Sequence, residues 1–290
     1  MERLLITGCT GLLGSKLVEK APEGAKVYGV ALENPRGKTR YEFNKLDISD
    51  RDETTKLIAK LGPDTVIHTA ALTGVDYCEE HPEEARSVNA LGTENVALGC
   101  KKTGARLVYV STDYVFDGKK GMYAETDTPN PINVYGKTKL EGEALLKEAG
   151  IDWCIARTSV LYGWHENYNF AKWVVGELRE GKSINVVNGQ YCSPTFADNL
   201  AEALLLLSEK GATGIFHTAG SKRVSRYEFA VKTAEIFGLD SNLINPVTSD
   251  KLRQKAKRPK DSSLDINKAK KSGLYMMDIY EGLNEMKGSE

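Results

Sequence analysis

Met1-Glu-Arg-Leu-Leu-Ile-Thr-Gly8-Cys-Thr-Gly11-Leu-Leu-Gly14 decides the fold. The apolar run over residues 4–7 reads as a buried parallel strand, and residues 12–20 as the helix that follows it. The glycines between them are spaced G-x-x-G-x-x-G, not the G-x-G-x-x-G of the commoner dinucleotide fingerprint. Glycine lets the backbone turn tightly, lets a pyrophosphate approach and lets helix pack close to strand. The helix start then faces the phosphates with its unpaired N–H groups. An ordinary strand-to-helix turn is the plain alternative; the strand before and the helix after favour a nucleotide.

Outward from this turn, strand-like and helix-like segments keep alternating, which predicts a parallel sheet covered by helices on both faces. Further strands are expected at residues 26–32, 45–48, 65–69, 106–111 and 153–157. Ser49 reads as the cap of a helix over residues 50–61, closed by Gly62-Pro63-Asp64. His81-Pro82-Glu83 opens one long helix reaching residue 103. After Arg157 the rhythm changes. Helical periodicity is found near 170–179, 197–208, 225–237 and 278–286, and residues 215–218 read as a strand returning to the main sheet. The expectation is an α/β fold: a doubly wound, Rossmann-type parallel sheet over residues 1–157, with residues 158–290 mainly a smaller, interwoven substrate lobe.

The 290-residue length and 41% hydrophobic content suffice for such a core. A net charge of −1 gives no basic balance that argues for nucleic acid. No apolar run is long enough to span a bilayer, and the start lacks a signal peptide's design, so a cytoplasmic chain is expected. Cys9, Cys78, Cys100, Cys154 and Cys192 are dispersed, without a C-x-x-C pair, and read as reduced structural thiols. His68, His81, His165 and His217 show no metal-ligand spacing, so no metal is expected; His68 and His217 read as core histidines.

Tyr135 and Lys139 stand four apart in a predicted helix over residues 134–149 and so share a face. An ammonium beside a phenol favours the phenolate, which would make the tyrosine a proton donor and acceptor near neutral pH. The bare pair also suits a solvated helix surface. Thr112, where the 106–111 strand ends, is placed to hydrogen-bond a carbonyl oxygen, since ligands of open parallel sheets bind at the carboxyl ends of strands.

Together the glycines, Ser111-Thr-Asp-Tyr-Val-Phe-Asp-Gly118, Asn133-Val-Tyr135-Gly-Lys-Thr-Lys139-Leu-Glu141-Gly-Glu143 and Arg157-Thr-Ser159 resemble the extended short-chain dehydrogenases. More narrowly they resemble the dTDP-4-dehydrorhamnose reductases, whose later signatures match Asn169-Phe170, Gln190, Pro194-Thr195, Arg258-Pro259 and Ser262-Ser-Leu-Asp265. The resemblance runs nearly end to end.

It implies reduction of a 4-keto-6-deoxy sugar nucleotide, a dTDP-linked keto-sugar, by NADPH or NADH. Thr112, Tyr135 and Lys139 would be catalytic. Gly8, Thr10, Gly11, Leu12, Leu13 and Gly14 would meet the cofactor's phosphates, Asp47 and Ile48 its adenine, and Ala70, Ala71 and Thr73 its ribose and nicotinamide arm. Tyr135 and Lys139 would touch the nicotinamide ribose. Thr112, Asp113, Tyr135 and Arg258 would meet the substrate. Arg36 and Lys38 would receive a 2′-phosphate, whereas Glu33 would suit NAD. Asn89 would either hold a water relay near Lys139 or repair a helix distortion. Val160 departs from the aromatic residue usual after Arg-Thr-Ser, and Trp164 is the expected substitute in space. In the Lys255–Lys260 cluster only Arg258 is expected to leave solvent for the ligand. A homodimer is an open expectation.

Two other functions stay in view. A sugar-nucleotide epimerase would carry tightly held NAD; a dehydratase would show Asp-Glu after the threonine, where Asp113-Tyr114 stands. The regulatory subunit of methionine adenosyltransferase shares these motifs and binds NADP without catalysis.

Overall fold

The computed structural model describes residues 2–35, 39–252 and 254–290. Its centre is a seven-stranded parallel sheet. The strands β1 (Arg3–Thr7), β2 (Lys26–Ala31), β3 (Glu42–Lys45), β4 (Thr65–His68), β5 (Arg106–Thr112) and β6 (Trp153–Thr158) are joined by the strand Gly214–His217. From edge to edge the order is Gly214–His217, β6, β5, β4, β1, β2, β3. The direction of winding reverses between β1 and β4, and this switch point opens a crevice at the strands' carboxyl ends.

β1 shows how the sheet is filled. Side chains alternate across a strand, so Leu4 and Ile6 enter one core with Leu17, Val108 and Leu204, while Leu5 enters the other with Ile58, Val66, Val96 and Ile155. The helices α1 (Leu12–Glu19) and α8 (Ala197–Glu209) pack together on the first face; α2 (Arg51–Leu61) and α5 (Gly92–Thr103) pack together on the second. Two further apolar clusters lie beyond β6. One joins Tyr162 and Phe229 to Ile279, Leu283 and Met286 of the C-terminal helix Ile279–Gly288. The other joins α7 (Phe170–Arg179) and α9 (Arg226–Phe237) to the strand Ile184–Val187.

Three expectations shift. The third strand was expected at residues 45–48 but runs Glu42–Lys45, because the Asp47 carboxylate folds back onto the Ser49 amide at 2.9 Å and ends the extended stretch. Ser49 is not the cap of α2: its hydroxyl donates to Asp47, and Asp50 caps the helix by accepting from the Glu53 amide at 3.0 Å. The long helix expected over residues 81–103 is α4 (Pro82–Arg86), a π-helical stretch Ser87–Leu91, then α5. A short helix α3 (Val75–Glu80), not expected, precedes it. The returning strand pairs in parallel with β6, Ile215 opposite Ile155. Among the described residues no helix is long and apolar enough to cross a membrane.

Candidate active site

A cleft of about 1450 Å³ opens over the switch point. Its floor is the glycine turn. Gly8 has φ +69°, and a Cβ there would stand 2.8 Å from the Ala70 amide nitrogen. A Cβ on Gly14 would stand 2.0 Å from the Gly8 carbonyl oxygen and force α1 off the turn. Gly11 is the N-cap of α1 and brings no capping side chain, which leaves first-turn N–H groups for an anion. Thr10 to Gly14 line the cleft beside this start, and Ala70, Ala71 and Thr73 line the wall after β4. Asp47 and Ile48 line the wall beyond β2, and Glu33 lines it just past that strand. Arg36 and Lys38 lie outside the described residues.

Thr112, Tyr135 and Lys139 all face the same cleft. Thr112 ends β5; its hydroxyl donates to Asp113 Oδ1 at 3.1 Å and accepts from the Tyr114 amide at 3.2 Å. Tyr135 and Lys139 stand on α6 (Val134–Glu148). The helix is placed by Asn133, which caps it by accepting from the Gly136 amide at 2.8 Å and donates to the Lys257 carbonyl at 2.9 Å. It is placed also by Gly136, where a Cβ would stand 2.1 Å from the Tyr114 carbonyl oxygen. Only a bare backbone brings Tyr135 this close to the end of β5.

The charges differ from expectation. Lys139 is buried, donates to the Val110 carbonyl at 2.8 Å and lies 4.3 Å above the Tyr109 ring. Burial draws its ammonium down to about 7, against a smaller opposing pull from Glu143. Burial likewise pushes the Tyr135 phenol up, and the Thr112 hydroxyl beside it only partly offsets this. In the protein alone the tyrosine is therefore held protonated, not lowered by the lysine as the sequence suggested. Asp113, cradled by the hydroxyls of Ser159 (2.8 Å), Ser262 (2.5 Å) and Thr112, is also raised, with burial outweighing these bonds.

With that geometry in place, the whole chain can be set beside known proteins. The model of the RmlD substrate binding domain matches residues 1–287. The chain belongs to this family. Within it, the chain is 34% identical to the dTDP-4-dehydrorhamnose reductase of Aggregatibacter actinomycetemcomitans, with 99% of each protein covered. It is similarly 34% identical to the methionine adenosyltransferase 2 subunit beta of Xenopus tropicalis, over 94% of this chain and 83% of that one. Among solved structures, dTDP-4-dehydrorhamnose reductase from Bacillus anthracis in complex with NADP superposes with a TM-score of 0.92 at 34% identity, covering 100% of this chain and 99% of that one.

Other positions of this RmlD-family chain fall in or out of the cleft. Asn89 lies in the π-helical stretch; its Oδ1 accepts from the Leu72 amide at 2.8 Å and its Nδ2 donates to Thr138 Oγ1 at 3.2 Å, bracing the loop after β4 against α6. Arg258 lines the cleft with one guanidinium nitrogen 2.9 Å from Asp76, while Lys255, Lys257 and Lys260 are exposed. Val160 lines the cleft with φ +41°, an unusual backbone for a β-branched side chain. Trp164 does not replace the missing aromatic: its indole donates to the Met286 carbonyl and its ring packs on Phe237. The aromatic residues on this wall are Tyr168, Phe170 and Trp173.

Sequence reasoning missed Arg226, Gln254 and Thr158, all of which line the cleft. Arg226 carried a signal. It follows the helix-capping Ser225, where a cation opposes the helix dipole, and its guanidinium lies 5.2 Å over the Phe170 ring. Thr158, on β6, has a buried hydroxyl without a hydrogen-bond partner among the described residues.

Proposed function

We propose that the protein reduces a 4-keto-6-deoxy sugar nucleotide, dTDP-4-dehydro-L-rhamnose to dTDP-L-rhamnose, with NADPH as the favoured donor and NADH as a second one. The observation that carries this reading is the meeting of Thr112, Tyr135 and Lys139 on the cleft above the glycine turn. The names of relatives matched along their whole length, one of them in complex with NADP, support it.

The glycine cradle and the uncapped start of α1 suit a dinucleotide's pyrophosphate. Gly8 and Thr10 to Gly14 would hold it there, Asp47 and Ile48 the adenine, Ala70, Ala71 and Thr73 the ribose and nicotinamide arm, and Arg36 a 2′-phosphate. When bound, the cofactor supplies the hydride. Tyr135, kept protonated by burial, gives its proton to the C4 oxygen as negative charge grows there. Thr112 donates a hydrogen bond to the same oxygen. Lys139 binds the nicotinamide ribose, and its charge favours the phenolate that remains. Asp113, Arg258 and Arg226 offer polar contacts to the sugar and its diphosphate.

Absorbance of NADPH on mixing with dTDP-4-dehydro-L-rhamnose tests the reading directly: oxidation is expected, and none would overturn it. Tyr135→Phe should cut turnover by roughly 10²–10⁴ with little change in NADPH binding. Unchanged turnover would remove Tyr135 from the mechanism. The similarity to methionine adenosyltransferase 2 subunit beta supports a second reading, a nucleotide-binding regulatory subunit. Co-purification of a synthetase, without reduction of any keto-sugar nucleotide, would favour it. Residues 158–290 are, on the first reading, mainly the substrate lobe. A cytoplasmic setting accords with five buried free thiols. A homodimer is carried as a proposal, to be checked by light scattering.

A further inference from the structure

Tyr135, Lys139 and Glu143 recur every fourth residue along α6 and share its inner face. The first two belong to the site above; the third has no role in it so far. Glu143 is fully buried. Its Oε1 accepts from the Ser111 hydroxyl at 2.6 Å and from Arg157 Nε at 2.9 Å, and its Oε2 from the Arg157 terminal nitrogen at 2.7 Å. Arg157 is only 1% exposed. Ser111 adjoins Thr112 on β5 and Arg157 adjoins Thr158 on β6. The ion pair thus ties α6 to the ends of both strands at the cleft.

A buried ion pair is a poor device for stability alone, because apolar residues of equal volume commonly serve as well. Its neighbour one turn away is Lys139. Among the described residues, Tyr109 and the Val110 carbonyl on β5 contact this lysine, His68 lies near it on β4, and Tyr135 stands one turn before it on α6. None of these supplies a negative charge. His68 is held neutral, down to about 3, by burial first and by Lys139 second. Glu143 stands one turn along the same buried face from Lys139, with Arg157 set behind it and Lys147 Nζ 3.9 Å from its Oε2.

We propose that Glu143, clamped by Arg157 and Ser111, is a positioning residue that keeps Lys139 charged and aligned with Tyr135. The use made of that charge rests on the reductase reading; the charge itself does not. Burial draws the lysine toward neutrality and Glu143 opposes it. The ammonium that would grip the ribose is therefore maintained from a side chain that touches neither cofactor nor substrate.

Glu143→Gln alone strands Arg157 as a buried cation and is expected to unfold the protein. The informative variant is Glu143→Gln with Arg157→Met, which removes both charges at similar volume. It is expected to melt near the parent temperature, while the pH above which NADPH affinity falls moves down by about one unit. The alkaline limb of kcat should move with it, giving roughly tenfold lower turnover above that limb, and KM for the keto-sugar should change less. NADPH titrated by fluorescence from pH 6 to 9, melting curves of the nucleotide-free protein over the same range, and turnover give the three readouts. A profile that stays at the parent pH in a folded double variant overturns the proposal. Should the double variant not fold, Glu143→Asp decides: it keeps the charge but withdraws it, and an unshifted NADPH-binding limb there overturns the proposal equally. A parent that binds NADPH yet reduces no keto-sugar sinks the reductase reading and leaves the binding and melting profiles to judge Glu143.

Discussion

Lys139 sets function against stability within one side chain. An ammonium held away from water destabilises the fold, and its partners here are a carbonyl and an aromatic face. The folded protein binds this proton less tightly than the unfolded chain, about 7 against the ordinary 10.5. Between those values unfolding takes up a proton, so Lys139's contribution to stability rises with pH; its full cost is present below pH 7. Lys139→Met should therefore abolish turnover yet raise the melting temperature of the nucleotide-free protein at pH 6, and the gain should shrink toward pH 10. A lower melting temperature at pH 6 would show that the lysine stabilises the fold instead. The Tyr/Lys pair was legible from its spacing, but the balance of charges was not. Spacing says that two groups share a face; only the depth of that face says whether solvent or protein answers the charge.

At the scale of elements, α6 carries the reactive side chains and is seated by contact rather than by a strong apolar stripe. Its inner face includes Gly136, Thr138, Lys139, Gly142 and Glu143, mostly small or polar. Gly136 meets the Tyr114 carbonyl, and Gly142 faces the Asn89 carbonyl, where a Cβ would stand 2.7 Å away. Gly136→Ala should push the helix off the end of β5. The expected cost is about 1–3 kcal/mol of stability, as for other overpacked sites, with a larger loss in kcat than in NADPH affinity, read from urea melts and steady-state kinetics. Helix and strand periodicity made the main elements legible, from the first glycine turn to the return of Gly214–His217. The π-helical stretch was legible only as one of two alternatives, a helix distortion at Asn89, because the partners of that amide, Leu72 and Thr138, are distant in sequence. The third strand was misplaced for a similar reason. Residues 45–48 look extended in sequence, yet the Asp47 carboxylate bonds Ser49 and turns the chain into the cleft wall.

At the scale of the whole molecule, the cleft is assembled from segments remote in sequence. Gly8 and Arg258 both line it, and Arg226 and Gln190 reach it from beyond the main sheet. The motifs that form a local turn could be read directly, whereas Arg226, Thr158 and Gln254 depend on how distant segments fold back. Because one ligand would bridge these segments, NADPH at a hundred times its dissociation constant should stabilise the protein by about 2.7 kcal/mol. Calorimetry checks this, and an unmoved melting temperature at saturating NADPH would argue that the cleft does not hold the dinucleotide.

The strand Gly214–His217 covers the outer flank of β6, yet it is made about sixty residues after β6 ends. A growing chain therefore leaves the ribosome with β6 bare along its hydrogen-bonding edge for roughly 3–12 seconds at ordinary rates of synthesis. During that interval the nascent protein carries a template for mispairing with other chains. Its yield in the cell should then depend on translation speed through residues 158–217, and on whatever chaperone shields that edge.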